Sequence, residues 1–144
     1  MKISLCLYTM IVAAFAQNNP SHHSPTADLL PQYHYVLQFN GVLPCADCPG
    51  IETELTLVND DLTYTLTQTY LDRDGQPFVS TGTWTTLRGF KDDENGVVYW
   101  LDPESNRESY YLKTSESTIV MLDKNQEMIM SDLNFTLTKT LKNH

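Results

Sequence analysis

Cys45 and Cys48, separated by two residues in the run Gly41-Val42-Leu43-Pro44-Cys45-Ala46-Asp47-Cys48-Pro49-Gly50, are the side chains with the most chemistry to offer. Sulfurs at this spacing can exchange electrons with other thiols, close a tight disulfide, or clasp a soft metal. A thiol–disulfide oxidoreductase places such a pair at a helix N-terminus, which lowers the thiol pKa and makes the thiolate a good attacker. Pro49-Gly50 follows at once and strand-like runs flank both sides, with no βαβ pattern, so the residues point away from an enzyme. A structural disulfide would close a very small ring and pin the connection between the first two strands. Two thiolates also suit Cu(I) better than calcium or magnesium. Structural zinc would need four ligands, and a second Cys-x-x-Cys or a His-x-x-x-His is missing. Disulfide and Cu(I) site are redox alternatives of one cysteine pair, and both stay open.

Other candidates are sparser. Met121, Met128 or Met130 could add a thioether to a copper site, although spacing cannot bring them to the loop. His34 has the alternation phase of an outward residue, together with Gln38. No Gly-x-Ser-x-Gly elbow is present, and His34 and His144 are the only histidines past the leader, so a Ser/His/Asp machine has little to work with. The aromatic side chains could line a cavity for a small hydrophobic ligand or acyl chain, with Trp84 and Trp100 large enough to wall it. In a domain of this size inward aromatics also simply fill the core.

The compartment decides which sulfur chemistry is open. Lys2, the apolar Ile3 to Ala13 and Ala14-Phe15-Ala16 before Gln17 have the form of a signal peptide over residues 1–16. Cleavage there removes Cys6 and leaves Cys45 and Cys48 as an even pair, the arrangement expected in an oxidising compartment such as the periplasm. Cys6 follows Leu5, with too short an apolar stretch before it for a lipidation site, so a lipid anchor is not expected. No later segment is long and apolar enough to span a membrane as a helix. Residues 17–32, rich in Gln, Asn, Pro and Ser and carrying His22-His23, read as a flexible leader.

Loss of Lys2 takes nine basic residues to eight against eighteen acidic ones, a net charge of −10 for the mature chain. Such a chain has no charge basis for nucleic acid or for anionic membrane surfaces. The acidic run Lys91-Asp92-Asp93-Glu94-Asn95-Gly96 lacks the spacing of a calcium loop and reads as a solvated turn.

The roughly 110 residues of 33–141 suffice for one domain. Their periodicity is that of strands. Tyr33, Tyr35, Leu37 and Phe39 alternate with His34 and Gln38, Ile51, Leu55 and Leu57 with Glu52, Glu54 and Thr56, and Leu62, Tyr64 and Leu66 stand between threonines. Further runs cover 78–84, 97–101, 108–113, 117–122 and 133–140, giving about eight strands. Short turn-rich connections at 59–61, 72–75, 94–96, 102–106 and 123–126 predict an antiparallel meander. Closure hides the edges that an open sheet would expose, so the predicted fold is a small all-β, antiparallel up-and-down barrel, with a β-sandwich as the alternative.

The segment from Gly41 to Ile51, the alternating Glu52-Thr53-Glu54-Leu55-Thr56-Leu57 strand and the later Gly82-Thr83-Trp84 resemble the N-terminal domain of the NlpE family of copper-resistance and envelope-stress lipoproteins. The resemblance covers about residues 34–141. It implies a lipocalin-like barrel in the bacterial envelope, linked to copper tolerance and to stress signalling through a sensor kinase. Longer members carry a lipidated N-terminal cysteine and a second, OB-like domain, neither of which these residues display. Three functions follow: a non-enzymatic envelope binding or sensing module marked by its cysteine loop, a barrel carrying a small hydrophobic ligand with a purely structural disulfide, or an interaction module docking an envelope partner, for which the residues carry no partner-specific signal. An envelope protein is the partner expected for the first.

Overall fold

The computed structural model describes residues 34–72 and 75–140. The expected signal peptide at 1–16, the leader at 17–32, Cys6, His22-His23 and both limits of the 33–141 domain lie outside the described residues. Within them, eight strands run in chain order: β1 (Val36–Leu43), β2 (Ile51–Val58), β3 (Thr63–Tyr70), β4 (Pro77–Phe90), β5 (Asp93–Leu101), β6 (Ser109–Lys113), β7 (Thr118–Met121) and β8 (Thr136–Lys139). Each pairs antiparallel with the next, and β8 returns to β1 through Phe39↔Lys139 and Asn40↔Thr138, closing the barrel. Closure excludes the sandwich. Among the described residues no helix is long and apolar enough to cross a membrane.

Alternation decides which side chains enter the lumen. Phe39, Leu55, Leu57, Tyr64, Trp84, Tyr99, Leu101, Tyr111, Ile119 and Leu137 form the inner core. Gly41 keeps β1 close to β8, since a Cβ there would lie 2.8 Å from the Thr136 carbonyl oxygen.

The expected turn at Glu94-Asn95-Gly96 is instead part of β5, and β4 runs on past Trp84 to Phe90. The hairpin turns at Lys91-Asp92, where Lys91 has φ +51°, and a bulge between Arg88 and Phe90 uses Gly89 at φ +88°. Gly96 serves packing rather than turning, because a Cβ there would stand 2.9 Å from Cβ of Phe90.

The last connection is also longer than the spacing predicts, and β8 starts at Thr136 rather than near Leu133. Strands β5 and β6 carry apolar residues on their outer face as well as their inner one, and that face needs a cover. Leu122 and Met128, bridged to each other as a small hairpin, belong to a second cluster with Val98, Tyr110 and Leu112 outside the barrel wall. Asp123 caps this hairpin by accepting N–H bonds from Asn125 and Glu127, each at 2.8 Å.

Candidate functional site

In an up-and-down barrel the β1–β2, β3–β4, β5–β6 and β7–β8 connections share one end. The cysteine loop therefore stands at the same mouth as the long β7–β8 excursion and the Asp102–Glu108 connection. It is anchored on both sides: Leu43 is buried at the end of β1 and faces Ile51, the first residue of β2. Cys45 and Cys48 are joined by a disulfide, with their Cα atoms 5.3 Å apart. Gly50, buried at φ +158°, lets the loop fold back, since a Cβ there would meet Cγ1 of Val42 at 2.5 Å. The Gly50 carbonyl accepts the N–H of Leu71 at 3.1 Å, which ties the disulfide loop to the β3–β4 connection. Sγ of Cys48 lies 3.4 Å from the same carbonyl oxygen.

As a donor set the pair is two sulfurs that share one covalent bond, so a metal could be held only after reduction. Among the described residues no group of three or more His, Cys, Asp or Glu side chains is arranged to hold a metal ion. The three methionines stand in three environments: Met121 packs on the inner core, Met128 belongs to the outer cluster, and Met130 is 94% exposed. His34 is exposed as its phase predicts, with Nδ1 beside the Asp60 carboxylate at 2.5 Å.

Trp84 and Trp100 do not wall one pocket. Trp84 pairs with Leu101 and faces inward, edge-on to Tyr99 with ring centroids 5.8 Å apart, and its indole N–H donates to the Val58 carbonyl at 3.0 Å. Trp100, one residue out of phase, stacks outside the wall on Tyr110 and donates from Nε1 to Glu108 at 3.3 Å.

A polar cluster inside the lumen has no counterpart in the sequence reading. Asp102, at the start of the β5–β6 connection with φ +46°, is 7% exposed, and its N–H donates to the Thr83 carbonyl at 2.8 Å. Its carboxylate turns inward, where Oδ2 accepts the Tyr64 hydroxyl at 2.9 Å and meets the Arg107 guanidinium at 3.0 Å. Gly82 makes the room: a Cβ at that position would fall 1.9 Å from Oδ1 of Asp102 and 2.9 Å from Cε1 of Tyr64. Burial, then the bond to Asp102, pushes the Tyr64 hydroxyl up to about 12, so it stays a protonated donor at neutral pH. Burial likewise pushes Tyr111 up to about 12. These groups border a cavity of about 320 Å³, open to solvent on one side, together with Gln68, Ser80, Ser109, Leu66 and Met121. The one signal in the sequence was Gly82, an inward glycine within a strand, which marks a close approach.

With this geometry in hand, comparison with known proteins is specific. The NlpE N-terminal domain family matches residues 39–132, from within β1 across the cysteine loop and the lumen cluster. Lipoprotein NlpE of Escherichia coli (strain K12) is 37% identical over 101 residues, covering 69% of this chain and 39% of that protein. The chain thus spans about two fifths of the length of this relative. The crystal structure of a Shewanella oneidensis protein described as a lipoprotein superposes with a TM-score of 0.53 at 30% identity, over 72% of this chain and 86% of that one. A closed eight-stranded barrel, a Cys-x-x-Cys loop at its mouth and a family match across both lead to one conclusion: the chain belongs to the NlpE N-terminal domain family.

Proposed function

We propose that this domain is a non-enzymatic binding and sensing module of the cell envelope, whose cysteine loop passes between a disulfide and a dithiol that takes Cu(I). The observation that carries this reading is the Cys45–Cys48 disulfide, held in a loop between two strands at the barrel mouth. Thiol–disulfide exchange with a dithiol donor of the envelope would reduce the bond, the donor supplying two electrons and two protons and leaving as its own disulfide. The two freed thiols, once deprotonated, are the soft ligands that Cu(I) prefers. The described residues around the pair form strands and turns rather than the helix N-terminus on which an oxidoreductase usually carries its attacking thiol.

The envelope setting has separate support. The sequence of residues 1–16 has signal-peptide form, a disulfide persists in oxidising compartments, and the E. coli relative is named a lipoprotein. Copper tolerance and envelope-stress signalling, implied by the family, are then outputs of the same loop, and an envelope protein is the partner that would read its state.

Competition against a chromophoric Cu(I) chelator tests the metal part. Reduced protein is expected to withdraw about one equivalent of Cu(I), and the oxidised protein and the Cys45→Ser/Cys48→Ser variant to withdraw none. Equal withdrawal by the double variant overturns copper binding at this loop. Free-thiol counting on protein taken from its native compartment tests the redox part: an invariably oxidised pair, with and without copper stress, overturns the switch.

A further inference from the structure

We propose that the barrel lumen is a binding site for a neutral, polyhydroxylated ligand of monosaccharide size, an inference that rests on the lumen alone and not on the reading of Cys45 and Cys48. The cavity of about 320 Å³ that the Asp102–Arg107 pair helps to line would hold about ten waters at ~30 Å³ each, room for a hexose-sized molecule. Its size also falls at the small end of ordinary ligand pockets.

The chemistry of the walls narrows the ligand. Asp102 and Arg107 lie 3.0 Å apart and neutralise one another, so a charged ligand would bring an uncompensated charge into a partly desolvated space. A buried carboxylate can only accept hydrogen bonds and a guanidinium can only donate them. A hydroxyl does both, and neighbouring hydroxyls satisfy the pair together. Gln68, Ser80 and Ser109 extend the same mixture of donors and acceptors around the cavity, and Leu66 and Met121 are its aliphatic side chains. An acyl chain would strip water from three neutral polar groups and return no hydrogen bond, which argues against the apolar cargo that a barrel first suggests.

The rim adds a second feature. Tyr70 and Phe78 have the inward phase of Gln68 and Ser80 but sit one step nearer the mouth, edge to face with ring centroids 5.7 Å apart. Phe78 is 63% exposed, an expensive place for a phenyl ring unless something covers it. The C–H face of a sugar ring is the complementary surface for an aromatic ring, while its hydroxyls face the polar lumen.

The test uses amide NMR of the full chain, titrated separately with methyl glucoside, methyl galactoside and N-acetylglucosamine to about 50 mM, a range that covers millimolar dissociation constants. Sodium octanoate provides the apolar, anionic comparison. The expected result is a saturable shift of Gln68, Ser80 and Ser109 with at least one sugar, weakened about tenfold or more in Gln68→Leu/Ser80→Val at unchanged far-UV circular dichroism. Should that double variant fail to fold, Ser109→Ala on the β6 side takes its place with the same expectation. No saturable shift with any of the three sugars, a larger shift of these residues with octanoate, or undiminished binding by a folded variant overturns the proposal.

Discussion

The cysteine loop and the Asp102 cluster stand at the same end of one barrel and are built on opposite principles. The loop is local: its partners are three residues apart in sequence, its bond is covalent, and both cysteines are partly exposed. The cluster is assembled from β3, β4 and the β5–β6 connection, with Tyr64 and Asp102 separated by 38 residues, and nearly all of the carboxylate is buried. A covalent bond across a short span removes little freedom from the unfolded chain. A buried carboxylate, by contrast, is tolerable only while its oxygens stay hydrogen-bonded. The loop is therefore suited to change state without unfolding the domain, and the cluster to hold the mouth in shape while it does.

The largest effect that would expose this division is expected from Gly82→Ala. The new Cβ cannot coexist with the Asp102 carboxylate 1.9 Å away, so the side chain must leave and the Tyr64 bond goes with it. Strain and lost hydrogen bonding together should cost about 3 kcal/mol, read as a shift of the urea midpoint at constant slope. A loss below ~1 kcal/mol would show that the lumen cluster is not what holds the mouth.

Next in size is Cys45→Ser/Cys48→Ser, or the wild type under a reductant. A ring this short gives a chain-entropy contribution of at most about 2 kcal/mol. Both treatments should lower stability by the same amount and leave the far-UV spectrum unchanged. Unfolding of the barrel on reduction would reverse the comparison and make the loop, not the lumen, the structural keystone.

What could be read in the chain follows the same division between local and long-range. The alternation of Leu55 and Leu57, or of Tyr99 and Leu101, is a local signal, and it placed the strands and the closed barrel. The Cys-x-x-Cys loop was equally legible, because its ring closes within four positions. Three features were not. Asn95-Gly96 has the composition of a turn, yet Gly89 takes the left-handed conformation nearby and Gly96 yields space to Phe90. The outer cover formed by Leu122 and Met128 answers an excess of apolar residues on β5 and β6, visible only once the faces are assigned. Asp102, lying before Pro103 in a polar run, looks like any turn aspartate until β3 brings Tyr64 beside it. Trp84 and Trp100 give the same lesson: two large aromatics suggested one wall, and strand phase puts them on opposite faces.

Tyr64→Phe probes the cluster more gently. It removes one donor from a buried carboxylate that keeps Arg107, at an expected cost of about 1–2 kcal/mol near neutral pH. Its sharper readout is alkaline. The folded chain holds the Tyr64 proton to about 12 whereas the unfolded chain releases it near 10.0, so deprotonation favours the unfolded state. This contribution is complete below pH 10 and is lost as pH rises toward 12. Wild-type stability should fall steeply across that window and the variant less steeply, with Tyr111, Tyr99 and Tyr110, all raised by burial, supplying the slope that remains. Parallel pH profiles of the two proteins would mean that the Tyr64 hydroxyl is not held by Asp102.

The smallest expected effect is that of Arg107→Ala, and it separates the two halves of the ion pair. The Arg107 side chain is 64% exposed while that of Asp102 is 6% exposed, so solvent screens the guanidinium and the pair should contribute less than ~1 kcal/mol to stability. Asp102 would retain the Tyr64 hydroxyl, the more deeply placed of its two partners, and water at the mouth could replace the lost cation. A loss comparable to that of Gly82→Ala would instead make the guanidinium the element that keeps a buried carboxylate tolerable. The partition matters for the lumen proposal: if Arg107 is energetically idle in the unliganded barrel, its donors are free to turn toward a hydroxylated ligand. Arg107→Ala should then weaken sugar binding far more than it weakens the fold.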